Sequence, residues 1–244
     1  MSFPRKSGED EVAHILRVLG CEPKLVPRSN EKTPDIIAHA GSSTAIIEVK
    51  DKFDRAEIAE VRKRDLDQTG RHERGFAIRP SNRLSGIAKS GVKQIRAQAS
   101  EETHFRILWF NLRTSAADAE RLLLRNTIYG ISEIMGRDDP YVRPCYFFHD
   151  SVFYSLRNDL DGVVSAVFDG SSASIKFHLN PLSPRLDTLL SSDFLTCFQG
   201  ATENPIEEEV LGSYILPSDV DRHSPSSEAA FAREKILHGP PANI

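Results

Sequence analysis

Asp35, Glu48 and Lys50 are the side chains whose types and spacing best suit chemistry. They punctuate the run P-D-I-I-A-H-A-G-S-S-T-A-I-I-E-V-K, from Pro34 to Lys50. Two carboxylates are a ligand set for magnesium, which takes oxygens in a near-octahedral shell and usually keeps several waters beside one or two protein carboxylates. Manganese would substitute for it. Such an ion beside a phosphate lowers the pKa of a bound water and neutralises charge gathering on the phosphoryl oxygens. A lysine next to it orients the water or steadies the transition state.

The residues around these three indicate how they are held. Ile36, Ile37 and Ala38 form one apolar run and Ala45, Ile46, Ile47 and Val49 another, with Gly41, Ser42 and Ser43 between them, which predicts a β-hairpin. Side chains alternate faces along a strand, so Glu48 and Lys50 share one face, Ile47 and Val49 the other, and Asp35 approaches from the neighbouring strand. Upstream, Val12, Ile15, Leu16 and Leu19 recur at helical spacing, with Ser7 as N-cap and Gly20 as the stop. Glu9 lies along that apolar stripe at the first turn, whereas Glu11 sits about 200° away at about 100° per residue. Glu9 is therefore the better placed to look into a site, although both acids also suit simple capping of a helix start. A short strand is predicted between Cys21 and Arg28.

At Pro34, Asp35, Glu48, Val49 and Lys50 the chain resembles the PD-(D/E)XK nuclease superfamily, whose restriction-endonuclease-like fold is shared by Holliday-junction resolvases and RecB-type nucleases. The resemblance implies an α/β fold with an α-β-β-β-α-β core, a mixed sheet flanked by helices. It implies magnesium-dependent hydrolysis of DNA, with Asp35 and Glu48 holding the metal, Lys50 positioning the attacking water and Glu9 supplying or orienting a further ligand. Such enzymes commonly act as homodimers, because cutting two strands needs two centres. Relatives also place a glutamine on the second core helix, where this chain has Gln94.

The rest of the first half fits that order. Arg55 to Gln68 reads as an exposed helix and Thr69 to Arg83 as an arginine-rich loop, together a helical and loop insertion at 54–83. Leu84, Ile87, Ala88, Val92, Ile95 and Ala99 mark a second amphipathic helix, and F-R-I-L-W-F-N-L a strand. Residues 1–113 thus form the expected core. Lys89, Lys93 and Arg96 recur on one face of the second helix and, with Gln94, are the expected contacts to nucleic acid. Overall charge is −4, yet from Lys50 to Arg113 fifteen Lys and Arg stand against nine Asp and Glu, which favours a polyanion. The sequence does not separate DNA from RNA.

Residues 114–216 read as a C-terminal helix plus an antiparallel β extension. Leu122 to Met135 has helical spacing, and Pro144 to Leu179 alternates apolar runs with turns in the manner of a meander. Tyr146, Phe147, Phe148, Phe153, Tyr154, Phe168 and Phe177 are either sheet core or stacking platforms for unpaired bases. Asp159 and Asp161 are either a turn or a weak cation site. Residues 217–244, with a short helical stretch at Ser227 to Leu237, read as a loosely ordered tail. An acidic stretch from Ala201 to Glu234 shields the basic strip or aids solubility. No apolar run is long enough to span a membrane and no secretory leader is evident, so a cytoplasmic protein is expected. Cys21, Cys145 and Cys197 form no C-x-x-C pair, and neither a phosphate-binding glycine loop nor a G-x-S-x-G elbow is present. Two other readings keep the same fold: a nucleic-acid-binding module without chemistry, and a regulatory or interaction domain.

Overall fold

Ser7 starts the first helix as the sequence predicts. In the computed structural model, which describes residues 7–27, 33–73, 75, 78–98, 104–135, 141–169, 172–205 and 213–216, its hydroxyl accepts from the Asp10 amide at 3.2 Å and Asp10 bonds back to the cap. Helix α1 (Gly8–Val18) then buries Val12, Ala13 and Leu16. Strands β1 (Glu22–Leu25), β2 (Ile36–Ala40) and β3 (Ser43–Phe53) follow as an antiparallel set. The β2–β3 hairpin turns at Gly41 and Ser42, with Ile36 opposite Ile47. Helix α2 (Ala56–Thr69) buries no residue, as its sparse apolar face anticipates, and α3 (Asn82–Gln98) crosses back to β4 (His104–Arg113), parallel to β3.

The sheet continues beyond Arg113. After α4 (Ala117–Tyr129), the pair β5 (Ile131–Met135) and β6 (Val142–Tyr146) joins β10 (Tyr214–Ile215) in a separate three-stranded sheet. A 3-10 turn (Phe148–Asp150) and a short α5 (Val152–Ser155) lead to β7 (Gly162–Asp169), which pairs in parallel with β4 and antiparallel with β8 (Ser172–Leu179). Helices α6 (Leu186–Leu190) and α7 (Asp193–Thr196) precede β9 (Thr202–Glu203), giving the sheet order β1-β2-β3-β4-β7-β8-β9. The fold is thus α/β, a mixed seven-stranded sheet flanked by helices. One face packs Val12, Leu16, Phe194 and Phe198 against Ile36, Ile47, Val49 and Trp109. The other packs Leu84, Ala88 and Val92 of α3 and Leu124 and Ile128 of α4 against Leu108, Phe110 and Val163. Among the described residues no helix is long and apolar enough to cross a membrane.

Three expectations need correction. Leu122 to Met135 is not one helix: α4 stops at Tyr129 and β5 begins at Ile131. Between them Gly130 has φ +69°, and a Cβ there would fall 2.2 Å from the Phe147 carbonyl oxygen, so the apolar spacing conceals a break only glycine can make. Within the expected meander of Pro144 to Leu179, the apolar run V-F-Y-S-L from Val152 to Leu156 is not a strand but contains α5, because the Ser151 hydroxyl caps it by accepting from the Tyr154 amide at 2.9 Å. Consequently the described residues form no antiparallel meander there. β6 belongs to the small sheet, and β7 to β9 widen the central one. The expected tail at 217–244, with its helical stretch, lies outside the described residues.

Candidate active site

Asp35 extends the β2 ladder by one residue, its amide donating to the Ile47 carbonyl at 3.2 Å, which sets it opposite Glu48. Directly opposed residues share a face, so both carboxylates point to the α3 side of the sheet. Asp35 Oδ2 accepts from the Val49 amide at 2.7 Å, which locks the side chain. Lys50 lies on the same face, ion-paired to Glu48 Oε1, and donates to Gln94 Oε1 at 3.2 Å. Glu48 is 1% exposed at the floor, while Asp35, Lys50 and Gln94 are half-buried at the mouth.

Burial raises the carboxyl pKa of both acids. For Glu48 it overrides the Lys50 ammonium and, with Asp35 adjacent, pushes the group up to about 7. For Asp35 burial again leads. The Glu9 carboxylate adds to the rise, and the Val49 amide and Lys50 restrain it. Glu9 on the first turn of α1 is therefore within electrostatic range of Asp35. Glu11 is committed elsewhere, in an ion pair with Arg113.

Gly91 explains how Gln94 arrives. A Cβ at position 91 would stand 3.3 Å from Lys50 Cε, 3.4 Å from Glu48 Cγ and 2.6 Å from Leu108 Cδ1, so only a bare backbone lets α3 pass this close to β3. One helical turn later Gln94 meets the lysine. Gly91→Val is expected to lower stability by about 1–3 kcal/mol through overpacking and to withdraw Gln94 from Lys50. Chemical denaturation tests the first effect, and an unchanged unfolding midpoint would contradict it.

Lys89, Lys93 and Arg96 are not part of this cluster. They occupy the flank of α3 turned away from Gln94, at about 100° per residue. Lys89 and Lys93 are exposed, and Arg96 is ion-paired to Asp159. Other expectations fall for physical reasons. Tyr146, Phe147, Phe148, Phe153 and Phe177 are buried core, and the half-buried Phe168 and Tyr154 carry the Arg113 and Arg157 guanidiniums at 4.1 Å and 4.6 Å, so none is a stacking platform. Asp161 is 0% exposed and accepts from the Arg106 amide at 2.8 Å and Arg185 Nε at 3.0 Å. With Asp159 held by Arg96, this turn is an internal strut and not a cation site.

Two buried groupings escaped the sequence reading. Lys52, next along the Glu48–Lys50 face, forms an ion pair with Glu120 of α4, both nearly sealed from water. Ser165 Oγ lies 3.1 Å from His178 Nε2, and His178 Nδ1 lies 3.2 Å from Glu203 Oε2, an order resembling a nucleophile, base and acid. Ser165 is 0% exposed and His178 1%, so no substrate reaches the hydroxyl in this arrangement. Burial alone would raise Glu203, but His178 and Arg125 bring it down to about 2, the signature of a fixed ion pair.

The donor set fits a hard divalent cation at Asp35 and Glu48. Glu48 Oε2 is buried with no fixed hydrogen-bond donor reaching it, and Glu48 and Asp35 are close enough to hydrogen-bond to one another when one of them is protonated. Among the described residues no three His, Cys, Asp or Glu side chains form a ready metal cage, so waters would fill the remaining positions, as is usual for magnesium. No protein-family model matches the chain, and no curated protein or solved structure is significantly similar to it. The functional reading therefore rests on the residues themselves.

Proposed function

We propose that the protein is a magnesium-dependent nuclease of the PD-(D/E)XK type, with a restriction-endonuclease-like core, that hydrolyses DNA phosphodiester bonds. The observation that carries this reading is the convergence of Asp35, a buried Glu48 with a spare oxygen, Lys50 and Gln94 on one face of a hairpin. The element order α1-β1-β2-β3-α3-β4, with α2 as an insertion, is the order the resemblance requires.

Asp35 and Glu48 would hold the metal, with Glu9 contributing through water. When bound, magnesium supplies a low-pKa water and neutralises charge on the phosphoryl oxygens. Lys50 exchanges its contact with Glu48 for the attacking water or a phosphoryl oxygen, and Gln94 keeps the ammonium from swinging away. Val49 fixes Asp35 through its amide, so one ligand is preorganised before any cation arrives.

Glu48 must lose its proton to act as a ligand, which gives the reaction a pH dependence. With the carboxyl raised to about 7, cleavage at fixed subsaturating magnesium is expected to climb about tenfold per pH unit below 7 and to level above it. Because metal and proton compete for the same oxygens, more magnesium moves the midpoint to lower pH. Initial nicking rates of supercoiled plasmid between pH 5.5 and 8.5 test this. A flat profile contradicts it. DNA binding that persists in EDTA, with no nicking under any condition, would instead favour a binding module that has lost the chemistry.

A further inference from the structure

We infer that a second anion site adjoins the metal centre, in a cleft of about 270 Å³ lined by Phe53, Asp54, Arg55, Ile58, Arg83, Thr114 and Glu120, and that it takes a backbone phosphate of the substrate strand next to the one being cut. This rests on the nuclease reading for the identity of the strand, but on separate residues for the site.

The cleft lies on the catalytic face. Lys50 and Lys52 point the same way along β3, about 7 Å apart by strand rise, and Lys52 is ion-paired to Glu120, which lines the cleft. Its two acids are already answered from within the protein. Glu120 is held by Lys52, and Asp54 accepts from Arg62 Nη1 at 2.6 Å and from the Ser115 amide at 3.0 Å. What remains to face a ligand is positive. Arg55 is exposed, and Arg83 is exposed with its nearest carboxylate oxygen 3.9 Å away on Glu120.

Two further features favour a phosphate over an inorganic halide or a carboxylate. Arg55 is the N-cap of the fourteen-residue α2 and makes no side-chain capping bond, and both Arg55 and Ile58 at the start of that helix line the cleft, so the helix N-terminus borders it, with Glu57 in the same first turn. The half-buried Thr114 lines the same space, and its hydroxyl has no hydrogen-bond partner, so a rotation about its side chain would offer a neutral donor to a phosphoryl oxygen. Phe53, 47% exposed, lines the same cleft and would pack against the base attached to that phosphate. A free anion would not use Phe53, whereas a nucleic-acid strand would.

The test is fluorescence anisotropy with a short fluorescein-labelled single-stranded oligonucleotide and the full chain carrying Asp35→Asn, which removes turnover. Adding Arg55→Gln and Arg83→Gln is expected to weaken binding at least about tenfold. It should also lower the slope of log affinity against log salt by about 2. Phe53→Ala is expected to weaken it without changing the slope. Lys89→Ala with Lys93→Ala, on the far flank of α3, serves as the rival. An unchanged affinity in the Arg55/Arg83 variant, or no binding at all, overturns the cleft whatever the Lys89/Lys93 variant does. If the wild type never cleaves DNA while binding still depends on Arg55 and Arg83, the hydrolytic reading falls and the cleft stands.

Discussion

Lys50→Ala is expected to slow magnesium-dependent cleavage by about 10²–10³, the cost of losing one preorganised charge at the transition state. The fold should survive, because the side chain is 24% exposed and its ammonium contacts Glu48 and Gln94, not the apolar core. Its loss removes the cation paired to the Glu48 carboxylate, so that group should hold its proton to still higher pH, and the pH midpoint of residual cleavage should rise. A lysine that only paired with Glu48 would move that midpoint and leave the rate on the alkaline plateau unchanged. Single-turnover cleavage across pH separates the two effects, and a variant with wild-type rate and midpoint would remove Lys50 from the mechanism.

Breaking the Lys52–Glu120 pair is expected to be the most damaging single change to stability. Both side chains are more than 90% buried, and burial alone drives the Lys52 ammonium toward its neutral form while Glu120 opposes that shift. Removing one partner leaves the other charge uncompensated, at a cost of about 3–5 kcal/mol. Lys52→Met and Glu120→Leu should each lower the urea midpoint strongly. The double variant should recover most of the loss, because neither desolvated charge remains. Single variants within about 0.5 kcal/mol of wild type would mean that the pair is solvated in a way this arrangement does not allow. The pair ties α4 to β3 just beyond Lys50, so the same experiment reports on what holds the floor of the site.

Much of the site was legible because it is local. The opposition of Asp35 and Glu48 follows from a tight turn at Gly41 and Ser42 and from period-two alternation, both visible in one stretch of sequence. The choice of Glu9 over Glu11 follows from helical phase, and in the structure Glu11 is ion-paired to Arg113. What could not be read depends on distant chain segments. Gln94 was singled out by resemblance, but its contact with Lys50 requires Gly91, whose role appears only once α3 is seen against β3. Lys52 continues the E-V-K-D-K alternation and was open to inspection, yet its partner Glu120 lies on another helix. Lys89, Lys93 and Arg96 do share a flank, with Lys89 and Lys93 exposed and Arg96 ion-paired to Asp159, but periodicity fixes which residues share a flank and not what that flank meets. Gly130 and Ser151 misled for a related reason: single residues with special backbone or capping roles overrode the apolar patterns around them.

The central claim is that Asp35 and its partners make the protein a metal-dependent phosphodiesterase. The measurement that tests it most directly is the nicking of supercoiled plasmid by wild type and Asp35→Asn, purified in parallel, in magnesium or manganese and in EDTA. Asparagine preserves the shape of the side chain and the bond from the Val49 amide while removing the charge. The account predicts nicking by the wild type with either metal, none in EDTA, and a loss of at least about 10³ in the variant. Equal nicking by both proteins, or none by the wild type across the neutral to alkaline range, would contradict it.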